Sequence, residues 1–272
     1  MGRGASYALL TTLSLVLLFP LAYMFSISLQ LPGTELALPP RWFPSPIVWR
    51  NYPETFAARP FHLYLRNTLI VAAAAMASTL VTASMAGYAF ARLRFPGRGV
   101  LFGITLMTMM LPSVVTMIPD FIIFRLLGWI NTLLPLTVPA WFGGGAFNIF
   151  LFRQFFMTLP YDLDEAARID GAGFFQIYAR VLVPISRPVF ATVAIFSFIS
   201  HWNEFMGPLI YLNSRHWYTL ALGLQTFRSE FDVRWASIMV GSTLMTVPCL
   251  VVFFLFQRYF LHGVVMSGIA CR

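Results

Sequence analysis

The chain has 272 residues, of which 58% are hydrophobic and only 10% charged, and its mean hydropathy is +0.75. A soluble domain carries about 25% charged residues, so this composition excludes one. The 18 basic residues are all Arg against 10 acids, a net charge of +8, but they are scattered, without the basic runs and aromatic platforms of a nucleic-acid binder. The chain reads as an all-α polytopic membrane protein surrounded by lipid, with six transmembrane helices of about 20 residues each and no large extramembrane domain. It is taken as one transmembrane domain over residues 1–272. Cys249, inside an apolar run, and Cys271, at the C-terminus, are too few and badly placed for a disulfide framework or a Cys-based zinc site.

After Arg3 the first apolar stretch covers Tyr7–Leu29. It is longer than a signal-peptide core and lacks a cleavage pattern, so it reads as a retained first span. Residues 30–66 follow as a loop holding Pro39, Pro40, Pro44, Pro46, Pro53 and Pro60 together with Trp42, Trp49, Tyr52, Phe56, Phe61 and Tyr64. Proline prevents a long regular element, and Trp and Tyr favour the headgroup level. Short surface helices are expected, serving as an aromatic belt or docking an external partner. The second span is Asn67–Phe90. The next loop, Arg92-Leu-Arg94-Phe-Pro-Gly-Arg98, has three positive charges and no acid, which marks it as cytoplasmic.

Further spans are expected at Val100–Phe124, Thr132–Phe152, Pro188–Tyr211 and Trp235–Gln257. Alternation places both termini and residues 153–187 in the cytoplasm, and 30–66, 125–131 and 211–234 outside. Prolines 112, 119, 135, 139, 208 and 248 and the run Gly143-Gly144-Gly145 interrupt these spans. Such breaks free backbone polar groups that lipid cannot satisfy, so they belong where a helix packs on protein or lines a wet cavity. Asp120 and Arg125 are expected to pair or to reach the outer surface, and Met107, Met109, Met110 and Met117 to serve packing.

The long cytoplasmic loop contains Asp162-Leu-Asp164-Glu165-Ala166-Ala167-Arg168-Ile169-Asp170-Gly171. Asp162 or Asp164 is placed to cap a helix, and acids in its first turn suit the macrodipole. Gly171 is a natural left-handed stop. The predicted product is a helix of about two turns, a sharp bend, and a second helix over Phe174–Val181 ended by Pro184 and Pro188. Small Ala166 and Ala167 with slim Ile169 let a partner surface approach, and the flanking charges set register. The alternative is a solvated helix-turn-helix whose acids 162, 164, 165 and 170 balance Arg153, Arg168, Arg180 and Arg187.

This stretch resembles the cytoplasmic loop of binding-protein-dependent ABC importer permeases, Glu-Ala-Ala, three residues, Gly, nine residues, Ile-x-Leu-Pro. Here Glu165-Ala166-Ala167 precedes Gly171, and Val181-Leu182-Val183-Pro184 follows after nine residues. The form Glu-Ala-Ala-x-x-Asp-Gly-Ala over 165–172 is similar to the carbohydrate, maltose-type branch. Asn67–Ala72, Gly87–Leu93, Trp202–Phe205 with Pro208, and Gln257–Phe260 with Gly263 extend the resemblance over nearly the whole chain. The end, Gly268-Ile269-Ala270-Cys271-Arg272, departs from the family's common Gly-Ala-Val-Lys-Gly.

The resemblance implies a type I ABC importer permease fold in a bacterial inner membrane. It also implies a second homologous permease, an ABC ATPase dimer and an extracytoplasmic solute-binding protein as partners. Asp164, Glu165, Ala166, Ala167, Arg168, Asp170, Gly171 and Phe175 are the implied ATPase-coupling residues. ATP and Mg are expected on the partner ATPase subunits and no cofactor on this chain, which lacks a Gly-x-x-x-x-Gly-Lys loop and any Lys.

Span five also holds His201, Trp202, Asn203 and Glu204. Polar residues at membrane depth call for a functional reading, and Trp202, Asn203 and Glu204 supply the aromatic face, donors and acceptors that a sugar needs. His201 and Glu204 are spaced to share a helix face, but no third metal ligand accompanies them. The transported sugar has an alternative, a phosphorylated polyol such as glycerol 3-phosphate. A phosphate path calls for central Arg, which spans two, four and five lack. An intramembrane enzyme would need a Gly-x-Ser-x-Gly or His-Glu-x-x-His motif, and neither occurs. A passive channel would conduct without ATP.

Overall fold

The computed structural model describes residues 3–35, 39–228 and 233–268, with side chains from Gly4 to Phe256. Glu230, Asp232, the divergent end 269–272 and the side chains of Gln257–Phe260 lie outside the described residues. The described chain is helical: α1 (Arg3–Ser28), α2 (Asn51–Ala58), α3 (Phe61–Arg92), α4 (Arg98–Thr108), α5 (Ser113–Leu126), α6 (Leu134–Thr137), α7 (Ala146–Thr158), α8 (Asp162–Ile169), α9 (Phe174–Gln176), α10 (Val183–Ile185), α11 (Arg187–Trp202), α12 (Met206–Tyr211), α13 (Leu220–Gln225) and α14 (Trp235–Gly268). Among the described residues, four stretches are long and apolar enough to cross a membrane: Gly4–Ser28, Phe61–Arg92, Leu134–Thr158 and Trp235–Phe256. Two bent pairs bring the number to six when each counts as one span.

Three expected spans are reshaped by their breakers. Val100–Phe124 is not continuous, because α4 and α5 meet at 96°. Pro112 lacks an N–H and biases Leu111 away from helical backbone, so α4 ends at Thr108 and α5 restarts with Pro112 extended at its N-cap. The fourth span runs on to Thr158 but passes through a 3-10 turn at Pro139–Trp141 and the glycine run. Gly143, Gly144 and Gly145 all have positive φ, and a Cβ on Gly144 would lie 2.7 Å from Thr79 Cα of α3. That break therefore packs on protein, one of the two settings that permit it. The helix of span five ends at Trp202 rather than Tyr211, with α12 separate. On its other side, α11 meets Phe174–Ile185 at 81°. Asp120 and Arg125 form no ion pair with each other.

Contacts divide the chain into two compact units, Met1–Leu65 with Thr219–Leu250, and Arg66–Tyr218 with Val251–Arg272. In the first, residues 4–22 of α1 are exposed, so its apolar surface is available to lipid or a second subunit. The carbonyl of Ser28 at its end accepts a hydrogen bond from buried Asn51 Nδ2 at 2.9 Å. Among the described residues of the proline-rich loop only α2 is a helix before Phe61. Glu35, also buried, accepts from the Ala236 amide at 3.1 Å and from the Gly33 amide at 2.7 Å. A carboxylate at the first turn of α14 is favoured by the helix dipole. Phe61 stacks on Phe227 with centroids 5.8 Å apart, and Arg59 donates to Thr226 Oγ1 at 3.1 Å.

The second unit has its apolar core between α3, α7, α11 and the segment after α9, built from Ala83, Tyr88, Phe152, Phe156, Ile177, Leu182 and Val193. Helices α3 and α7 touch at Gly87, where a Cβ would sit 2.6 Å from Phe152 Cβ and 3.0 Å from Arg153 N. Pro184 does not end the helix that follows Phe174. A wide π-helical stretch over Ile177–Leu182 precedes it. This moves apart the carbonyl with which the proline ring would collide, so the turn continues to Ile185.

Candidate functional site

Helix α8 starts without the expected aspartate cap. Tyr161 occupies the N-cap, and no side chain bonds the free amides there. Asp162, Asp164 and Glu165 stand in the first turn and Arg168 in the last, each sign at the helix end whose dipole favours it. The far end follows expectation. Gly171 has φ +79°, its amide donates to Arg168 O at 3.0 Å, and the Ala172 amide donates to Ala167 O at 2.9 Å. This pair of bonds is the Schellman closure. Nothing lies within 4 Å of a Cβ placed on Gly171, so glycine is required there by backbone conformation alone.

Two faces of α8 differ in kind. Asp164 turns inward, and its side chain and that of Arg92 are each 1% exposed, with Arg92 Nη1 3.0 Å from Asp164 Oδ2. Arg92 Nη2 donates to Leu159 O at 2.7 Å, the guanidinium lies 4.8 Å from the Tyr161 ring centroid, and Tyr161 Oη donates back to Arg92 O at 2.9 Å. Removing one partner of such a buried pair costs about 3–5 kcal/mol, because the other charge is left bare. On the other face Glu165, Ala166, Arg168, Ile169, Asp170 and Gly171 are exposed, and Phe175 beyond the bend is exposed with them. Ile169 is 87% exposed, Phe175 67% and Phe174 59%. A cluster of uncovered large apolar side chains next to charges of both signs is the composition of a docking surface.

The alternative set the loop's acids against its own arginines, but Asp164 pairs with Arg92 of α3, outside the loop. Sequence reasoning missed Arg92, Tyr88 and Ser84 as partners of the loop. Tyr88 Oη donates to Phe174 O at 3.1 Å, and Ser84 Oγ lies 2.6 Å from Tyr178 Oη. Ser84, Tyr88 and Arg92 are four residues apart, hence on one face of α3, and that spacing in an apolar helix was the available signal. The exposure of Phe174 beside Ile169 was not foreseen, because nothing local shows that an apolar side chain stays uncovered.

The cluster of span five is arranged differently. Trp202 is 1% exposed and stacks on Phe198 with centroids 5.3 Å apart. The helix ends there, so His201 and Glu204 do not share a helix face as their spacing suggested. His201 Nδ1 is 2.7 Å from Ser197 O, and Asn203 Nδ2 donates to Ile199 O at 2.9 Å. Glu204 Oε1 accepts from the Gly207 amide at 2.9 Å, closing the first turn of α12. Of the three residues expected to meet a sugar, Asn203 is exposed, Glu204 partly so and Trp202 covered.

Residues 80–266 match the family described as the binding-protein-dependent transport system inner membrane component. The chain is 32% identical to the sn-glycerol-3-phosphate transport system permease protein of Yersinia enterocolitica, over 93% of this chain and 92% of that one. It is also 32% identical to the diacetylchitobiose uptake system permease protein of Streptomyces coelicolor, with the same shares covered. Identity to the arabinooligosaccharides transport system permease protein of Bacillus subtilis is 32%, over 94% and 92%. Among solved structures, a chain of a bacterial ABC transporter involved in the import of the acidic polysaccharide alginate superposes with a TM-score of 0.79 at 25% identity. The match covers 96% of this chain and 99% of that one. This chain therefore belongs to the family of binding-protein-dependent transport system inner membrane components, and is a multi-pass transport permease.

Proposed function

We propose that the chain is the permease subunit of an ABC importer for a sugar and acts as one transmembrane domain with both termini in the cytoplasm. A second homologous permease completes the pathway, and an extracytoplasmic solute-binding protein delivers the sugar. Separate ATPase subunits hold ATP and Mg and hydrolyse the nucleotide, since this chain has no phosphate-binding loop and no Lys. The observation that carries the reading is the exposed face of α8, with Glu165, Ala166, Arg168, Ile169, Asp170 and the neighbouring Phe175 uncovered while Asp164 is fixed to α3. A photocrosslinking amino acid at Ile169, in vesicles of the assembled transporter, should join this chain to an ATPase subunit. Adducts with lipid alone, or labelling of Ile169 from the extracellular side, contradict the reading.

A neutral sugar is favoured over a phosphorylated polyol. On the spans Phe61–Arg92 and Leu134–Thr158 and on α11, every Arg stands within six residues of an end, at positions 66, 92, 153 and 187, leaving no guanidinium at mid-span to receive phosphate. Asn203 is exposed where span five unwinds, which supports it over Trp202 and Glu204 as the member of its cluster that meets the sugar. Uptake of a labelled neutral oligosaccharide that glycerol 3-phosphate fails to inhibit supports this choice. Inhibition by the phosphate ester at equal concentration reverses it.

A further inference from the structure

We infer that Arg92 is the positioning residue through which a displacement of α8 is passed to α3, an inference that rests on the importer reading above. Arg92 is the last residue of α3 and holds the start of the loop helix at three places: the Leu159 carbonyl, the Tyr161 ring and the Asp164 carboxylate. Its own carbonyl receives the Tyr161 hydroxyl. Separating these groups would strand two charges where neither reaches water, so the first turn of α8 cannot slide along α3. A translation of that turn carries α3 with it.

Ser84 and Tyr88 extend the attachment on the same face of α3, to Tyr178 and to the Phe174 carbonyl. The three anchors span eight residues, about 12 Å of helix at 1.5 Å each, so a push on the exposed face of α8 is distributed over two turns of α3. The ion pair itself is single-pronged. Arg92 Nε and both carboxylate oxygens of Asp164 are buried without a hydrogen-bond partner, and the single charge contact between Nη1 and Oδ2 is a pivot, where a two-pronged fork would be rigid. The joint resists sliding and permits rotation.

The test measures sugar uptake and ATP hydrolysis in one preparation of vesicles holding the complete transporter with its binding protein. Arg92→Lys keeps the charge but loses the planar guanidinium over Tyr161 and the fixed bond to Leu159. The double variant R92M/D164M removes both charges and leaves no bare ion. In both, sugar moved per ATP should fall about tenfold, within the usual range of coupling between two sites, while the amount of assembled complex stays within about twofold. A ratio within about twofold of the unaltered protein in either assembled variant overturns the inference. So does a parallel fall of uptake, hydrolysis and assembly in both, which would make the pair a folding element only. If the unaltered transporter itself shows no ATP-driven uptake, the importer reading fails, which is a separate outcome.

Discussion

The loop helix and the break in span five were both conspicuous in the sequence as polar groups in an apolar chain, and the structure uses them in opposite ways. In α8 one acid is buried against an arginine of another helix and Ala167 packs on the core, while Glu165, Ala166, Arg168 and Ile169 are exposed. Around residues 201–207 the polar side chains bond the backbone three or four residues away. Polar side chains that satisfy their immediate neighbours mend a local break. A charge that reaches across to another element couples the two elements. The difference between a repair and a linkage is thus the sequence distance to the partner, not the polarity of the residue.

The sharpest way to break this comparison is at Gly171. Its φ of +79° costs an L residue roughly 1–2 kcal/mol, and a β-branched one more. Gly171→Val should lower ATP-driven uptake by about tenfold, the loss expected when roughly 1.4 kcal/mol of coupling is removed. Insertion and affinity for the solute-binding protein should be unchanged, and Gly171→Asn should lose less, because Asn tolerates this conformation. Uptake by the Val variant equal to that of the unaltered protein, in reconstituted vesicles, would show that the shape of the loop does not matter.

A smaller effect is expected where α3 meets α7. Gly87→Ala forces a Cβ to 2.6 Å from Phe152 Cβ, an overpacking of about 1–3 kcal/mol. Thermal unfolding of the purified protein in detergent should show a lowered midpoint. An unchanged midpoint would mean that the two helices part without penalty and that α3 is a poor lever. The smallest effect separates repair from sugar contact in span five. Glu204→Gln keeps the oxygen that accepts from Gly207, whereas Glu204→Ala removes it and should cost about 1 kcal/mol, as lost helix caps do. Neither should change the KM for sugar uptake, while Asn203→Ala should raise it. A raised KM for Glu204→Gln with an unchanged midpoint would put the carboxylate on the sugar.

Much of the fold was legible from the chain alone. Apolar runs of spanning length located the membrane helices, and Pro112, Pro139 and Gly143–Gly145 marked where they break. The angles of those breaks were not legible, because a proline removes one hydrogen bond and leaves the direction of the next helix to packing. In the loop, Gly171 announced its own conformation, but Asp164 suggested a cap and became half of an ion pair. A carboxylate in a first turn can serve either role, and the choice lies with whatever stands opposite.

What the sequence by itself determined is therefore local: span lengths, the two-turn helix, and the left-handed glycine that ends it, all set by neighbours within a few residues. Only the tertiary structure decided which acid of α8 is withdrawn from water and which side chains remain for a partner. Burying Asp164 is unfavourable unless a cation is buried with it, and that cation arrives on the end of a different helix.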